Sequence, residues 1–219
     1  MHVRPHDLAP SDRYKLLIGA VVPRPIAVVS TCDRDGRLNL APFSFFTAIG
    51  ADPMTLLFCP ANRPDGTAKD SLANARPAAA GGTGAFVVNV AVETIIRRVV
   101  ATAEPLPPGE SEFDLSGLAP APSLVVEPPR VAESPVAFEC RTREIVELNP
   151  GAPGGANVVI GDVVAVFVRD DLVNDRFHVD AAGLAAVGRM GGTQYCTTRD
   201  RFALPFGRPA LGAPDPFGS

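Results

Sequence analysis

Asn62, Arg63, Lys69 and Ser71 stand close together in the stretch FCPANRPDGTAKDS, residues 58–71, where a strand-like run gives way to a helix-like one. Helix N-termini present unpaired N–H groups and a partial positive charge, and neighbouring Arg or Lys adds full charges, so this pattern suits a phosphate. At about 4 Å and an effective dielectric near 20, each charge pair is worth roughly 4 kcal/mol before desolvation is subtracted. Solvated surface cations give the same pattern, since most Lys and Arg side chains are exposed.

A second group lies upstream in NLAPFSFF, residues 39–46. Asn39, Ala41, Pro42 and Ser44 place small polar and backbone groups side by side, which suits hydrogen bonding to a flat ligand carrying a chain of hydroxyls. A hairpin cap at Asn39, a strand end at Pro42 and core phenylalanines at Phe45 and Phe46 are equally compatible with these residue types. Neither group offers a nucleophile. The chain has no GxSxG, GxxxxGK[ST] or HExxH motif and no GxGxxG after a strand. With His2 and His6 near the N-terminus, a Ser-His or Cys-His pair would have to rely on His178. Cys32, Cys59, Cys140 and Cys196 lie far apart without a CxxC pair, so neither a metal site nor a disulfide framework is expected.

The elements that would position these residues read as mainly β. Gly and Pro number 20 and 23 among 219 residues, which implies many turns and short strands. Residues 26–31 and 37–43 flank CDRDG, whose Asp-Gly pair suits a tight hairpin. MTLLFCP (54–60) and AFVVNVA (85–91) have strand length, and residues 65–75 between them read as a helix in which Thr67 and Asp70 have capping-box spacing. SDRYKLLIG (11–19) and TIIRRVVATA (94–103) read as helices, and the Pro-rich stretch 104–123 is expected on the surface or across a partner subunit. SPVAFECRTREIVEL and NVVIGDVVAVFVRDD form the arms of a large hairpin around NPGAPGGA. Long strands without regular strand–helix alternation favour a β-barrel with accessory helices. The length suits a single domain over residues 1–219, with a flexible tail at 205–219.

Charge and hydropathy exclude some partners. A net charge of −4 and the lack of a Lys/Arg block argue against nucleic acid, including a single-strand binder of barrel type. The apolar runs are broken well short of the ~20 residues of a membrane span, and no signal pattern opens the chain, so a cytoplasmic protein is expected.

VVPRPIAVVSTCDRDGRLNLAPFSFFTAIGADPMTLLFCP, KDSLANA, AFVVNV, PPRVAESPVAFEC, VVIGDVVAVFV and GRMGGTQYCTT, in that order, resemble the flavin reductase-like family. The resemblance runs from about residue 10 to 202 and implies a six-stranded Greek-key split β-barrel, a homodimer, and FMN near the subunit interface. It implies the isoalloxazine ring against the backbone of Ser30 and Thr31 and the segment from Asn39 to Ser44, with Phe45 and Phe46 shaping the site. Asn62, Arg63, Lys69 and Ser71 would then hold the phosphate end. Arg189, Gly191, Gly192 and Tyr195 match the family's signature for a wall facing the second substrate, and His178 is a candidate contact to the nicotinamide. Many reductases of this group carry a histidine shortly before the GDVV strand, where Asn157 stands here; Asn cannot carry a proton at neutral pH. The implied activity is reduction of FMN by NAD(P)H for a partner monooxygenase. The alternative is a flavoredoxin-like carrier that holds FMN tightly and takes electrons from another protein.

Overall fold

The computed structural model describes residues 1–107 and 109–218. In chain order the elements are α1 (Pro10–Ala20), β1 (Arg24–Pro25), β2 (Ala27–Cys32), β3 (Leu38–Phe43), β4 (Phe46–Ala51), β5 (Met54–Phe58), α2 (Asp70–Ala75), β6 (Ala85–Val90), α3 (Ile96–Ala101), α4 (Glu112–Ser116), β7 (Pro120–Ala121), β8 (Arg130–Val131), β9 (Val136–Glu147), β10 (Asn157–Val168), α5 (Ala181–Leu184), β11 (Val187–Arg189) and β12 (Tyr195–Thr197). Seven strands form one antiparallel sheet in the order β3-β2-β6-β9-β10-β5-β4. β3 and β4 therefore lie at opposite edges, yet only Ser44 and Phe45 separate them in the chain. Three peptide steps span at most about 11 Å, so the sheet must curl until its edges meet. The result is a β-barrel split between β3 and β4.

The hairpin β2–β3 forms where the Asp-Gly pair places it. Gly36 takes φ +81°, and the Asp33 carboxylate accepts bonds from the Asp35 and Arg37 amides at 2.9 Å each. Every residue of β2 is buried, because the strand is covered on both faces. Ala27 and Val29 point into the barrel with Phe43, Phe58, Phe86, Cys140 and Val159, where the three phenylalanine rings pack tilted and edge to face at 5.0 Å between successive centroids. Val28 and its neighbour Leu40 on β3 face outward into a second core closed by Ile95, Val99, Phe113, Leu118 and Val131.

Two local readings are corrected. The helix expected over residues 65–75 begins only at Asp70, and Thr67 does not cap it. Thr67 instead donates its amide and hydroxyl to the Asp65 carboxylate at 2.9 and 2.6 Å, a turn that competes with helix. The Pro-rich stretch is more than a surface excursion. Within it α4 buries Phe113, and Leu118 just beyond the helix joins it in the outer core, while Arg98 fastens the segment by donating to Ser116 O at 3.0 Å; Pro108 lies outside the described residues. The tail beyond Asp200 is exposed for most of its length, with the rings of Phe202 and Phe217 4.9 Å apart, and Ser219 is outside the described residues. Among the described residues no helix is long and apolar enough to cross a membrane.

Candidate functional site

Where α2 meets the first hairpin, four buried polar side chains join. Thr31 Oγ1 accepts from Asn39 Nδ2 at 3.1 Å and from Asn74 Nδ2 at 3.0 Å, and Asn39 Nδ2 also donates to Ser71 Oγ at 3.0 Å. This network pins the start of α2 to β2 and β3 and satisfies groups that burial would otherwise leave unpaired. Beside it, Arg63 donates to Asp70 at 2.7 Å and to the carbonyl of Ala68, closing the loop that leads into α2. Lys69 sits in that loop with no carboxylate partner among the described residues. Its ammonium reaches solvent, yet partial desolvation and then the Arg63 guanidinium lower its pKa below the usual lysine value.

A cavity of about 360 Å³ opens at this place, with Asn39, Arg63 and Asn74 on one side and Glu110, Ser111 and Glu112 on the other. Glu112 Oε2 accepts the Leu40 amide at 2.9 Å, which satisfies a donor on the free edge of β3 and seals that edge under α4. Desolvation raises the Glu112 pKa, against the opposing effect of the Leu40 hydrogen bond.

At the other end of β3 a second group assembles. Ser44 Oγ accepts from Arg24 Nε at 3.3 Å, and the Phe45 ring lies 5.9 Å from the Arg24 guanidinium and 6.5 Å from the Tyr14 ring. Arg24 Nη2 in turn donates to Met190 O at 3.0 Å, within the turn between β11 and β12. In that turn Arg189 donates to Gly192 O at 2.5 Å and stacks over the Tyr195 ring at 4.4 Å, while Gly192 takes the left-handed φ of +59°. A largely apolar cavity of about 450 Å³ lies against Tyr195, walled by Ile96, Val100 and Val187. The strand from Asn39 to Ser44, at about 3.3 Å per residue, sets the two groups roughly 17 Å apart.

The expected site residues thus divide. Asn39, Arg63, Lys69 and Ser71 come together at one end of β3, and Ser44, Phe45, Arg189, Gly191, Gly192 and Tyr195 at the other, with Ala41 and Pro42 half-buried on the strand between. Phe46 is half-buried and packs against the barrel core. Ser30 and Thr31 are fully buried within a strand paired on both sides, and Ser30 Oγ is spent on Pro129 O at 2.5 Å. Asn62 and Asn157 instead meet each other. Asn157 Nδ2 donates to Asn62 Oδ1 at 2.8 Å and to Pro60 O at 2.9 Å, and Asn62 donates to Ala152 O at 3.1 Å, so the pair holds the loop between β9 and β10. Asn157 is wholly buried. His178 lies in an exposed turn, its amide donating to Asn174 Oδ1 at 3.1 Å. Sequence reasoning missed Arg24, Asn74 and Glu112. For Arg24 the signal was a cation between two prolines at the start of an apolar strand, and for Asn74 its place one helical turn after Ser71.

Lys69 and the Arg63–Asp70 ion pair thus stand at one end of β3 with hydrogen-bonding side chains beside them, and aromatic and glycine surfaces stand at the other. A family model described as the flavin reductase like domain matches residues 18–183, ending before Arg189. An uncharacterised protein of Halalkalibacterium halodurans is 39% identical over 207 residues, 93% of this chain and 95% of its own length. Among solved structures, nitrilotriacetate monooxygenase component B from Bacillus cereus superposes with a TM-score of 0.86 at 32% identity, covering 93% of this chain and 98% of its own. The Pseudomonas fluorescens 2-nitrobenzoate 2-nitroreductase NbaA gives 0.82 at 30% identity, covering 95% and 97%. The family model over residues 18–183 and the 39% identity over 93% of the chain establish, with the barrel split between β3 and β4, that the chain belongs to the flavin reductase-like family.

Proposed function

We propose that the protein binds FMN along β3 and is an NAD(P)H-dependent flavin reductase that supplies reduced flavin to a partner monooxygenase. The observation that carries the cofactor reading is Lys69, which has no carboxylate partner among the described residues, beside Arg63, which is paired with Asp70, at the end of a strand whose other end is lined by Ser44, Phe45 and the Gly191–Gly192 turn. A phosphomonoester supplies the missing anion there, with Lys69 as its direct partner and Arg63 adding field. The side-chain oxygens of Asn39 and Asn74 lie beside that end for ribityl hydroxyls, and the turn bearing Arg189 and Tyr195 faces the ring. When bound, FMN accepts hydride from the nicotinamide and passes electrons on, so the chain itself needs to supply only position and field. That requirement agrees with a site without a nucleophile or a buried histidine.

The similarity to component B of a monooxygenase supports an oxygenase partner, and the similarity to a named nitroreductase supports reduction as the chemistry. We place the protein in the cytoplasm as a homodimer, for which the exposed apolar residues Ile49, Met54, Val164 and Val166 on adjoining strands β4, β5 and β10 offer a face. A second reading, an electron carrier that retains FMN and ignores NAD(P)H, is favoured by one observation. Asn157, at the place where the resemblance expects a histidine, is wholly buried against Pro60, Asn62 and Gly155 at the start of β10 and exchanges no proton with a substrate. Anaerobic addition of NADH, then NADPH, to the FMN-loaded protein separates the two. Bleaching supports the reductase, whereas bleaching by dithionite alone supports the carrier.

A further inference from the structure

Arg24 is 4% exposed, and among the described residues no carboxylate lies within ion-pair distance of it. A buried guanidinium without an anion is costly unless its N–H groups are satisfied. Here Nη1 donates to Ile18 O at 2.7 Å and to Val21 O at 2.6 Å, Nη2 to Met190 O at 3.0 Å, and Nε to Ser44 Oγ at 3.3 Å. Two of these acceptors lie at the C-terminal end of α1, where the helix dipole is negative and favours a cation. The remaining two belong to two other segments beside the proposed ring site. Ser44 ends the β3 wall, and Met190 precedes the Gly191–Gly192 turn. The planar fork reaches all three segments at once. An ammonium has a compact head and no fork, so Lys cannot hold the same acceptors in the same plane.

We infer that Arg24 is a positioning residue that sets the separation between the Ser44–Phe45 wall and the Met190–Gly192 wall of the proposed flavin site. The inference rests on the FMN reading. It follows from the bond set that loss of the fork lets the β11–β12 turn move relative to β3, although β1 still pairs with β11 through its backbone at Arg24↔Arg189 and Pro25↔Gly188. The barrel core does not include Arg24, so folding and ring-site geometry separate in the variants.

The test is FMN affinity of the full chain, read by quenching of FMN fluorescence, for the wild type, Arg24→Lys and Arg24→Ala, with far-UV circular dichroism as the control for folding. The expected result is a folded Arg24→Lys protein whose Kd for FMN rises about tenfold or more, the scale of one or two lost charge-assisted hydrogen bonds. Methylguanidinium should restore affinity in Arg24→Ala where methylammonium does not. A folded Arg24→Lys variant that binds FMN as the wild type does would overturn the inference. Should neither variant fold, ¹⁵N-arginine spectra of the wild type decide: a shift of the Arg24 Nε–H resonance on adding FMN supports the positioning role, and an unmoved resonance overturns it. If FMN shifts no resonance and the wild type binds none, the FMN reading itself fails, an outcome distinct from wild-type binding with indifferent Arg24 variants.

Discussion

Lys69 is the residue on which the cofactor reading turns. Its Ala variant should bind FMN about 10- to 100-fold more weakly, the cost of one charge-assisted hydrogen bond to a phosphate, while Lys69→Arg retains most of the affinity. Equal FMN affinity in the Ala variant, measured by fluorescence quenching, would show that the phosphate lies elsewhere. The pH dependence has a defined sign. Affinity should fall as pH rises through the Lys69 pKa, which desolvation and Arg63 hold below the ordinary 10.5. In the absence of ligand the unfolded chain binds that proton more tightly, so stability rises with pH from the folded pKa up to 10.5. Lys69, Arg63 and Ser71 were legible from residue type and spacing because cations ahead of a helix are a local pattern. Arg24 was not, since its partners Ile18, Ser44 and Met190 come from three separate stretches of chain. That Asn62 and Asn157 bond to each other was not legible, because they stand 95 residues apart and an amide looks the same in sequence whatever it meets.

At the level of elements, α4 and β10 show what local patterns reveal and what packing adds. The long hairpin β9–β10 was legible in full, because two apolar runs flank a Gly/Pro-rich turn, and nothing distant is needed to form it. The role of α4 was hidden in a Pro-rich stretch whose purpose depends on the edge of β3, formed more than sixty residues earlier. Glu112→Gln tests that seal. The amide oxygen still accepts the Leu40 amide, so at mildly acidic pH the variant should lie within about 1 kcal/mol of the wild type in urea unfolding. The wild type holds a Glu112 proton more tightly folded than unfolded, so its stability should fall as pH rises from 4.5 through the raised folded pKa; the variant should lose that slope. A parallel pH slope in both proteins would remove Glu112 from the account. Gly161 marks the second packing constraint. A Cβ there would stand 2.4 Å from Phe86 Cζ and 3.0 Å from Cys140 Cβ, at a register shift in β10. Gly161→Ala should therefore cost about 1–3 kcal/mol in urea denaturation, and a neutral outcome would show that Phe86 and Cys140 do not close the barrel interior around Gly161.

For the whole molecule, the sheet order explains how the proposed site comes to lie along β3. Seven antiparallel strands curl until β3 and β4 meet, and the seam leaves β3 with one free edge, which α4 covers at Leu40 while the β11–β12 turn stands over Ser44. The mainly β class and the barrel were legible from strand lengths and turn residues, whereas the seam was not, because strand order is a property of the completed sheet. A dimer built on β4, β5 and β10 should sediment at twice the chain mass, and Val166→Asp should return it to monomer; a wild type that sediments only as monomer would contradict the proposed assembly. The most direct test of the central claim is the visible absorbance of the FMN-loaded protein during anaerobic titration with NADH and NADPH. The account predicts stoichiometric FMN uptake followed by bleaching on addition of nicotinamide nucleotide; a protein that takes up no FMN under any of these conditions would contradict it.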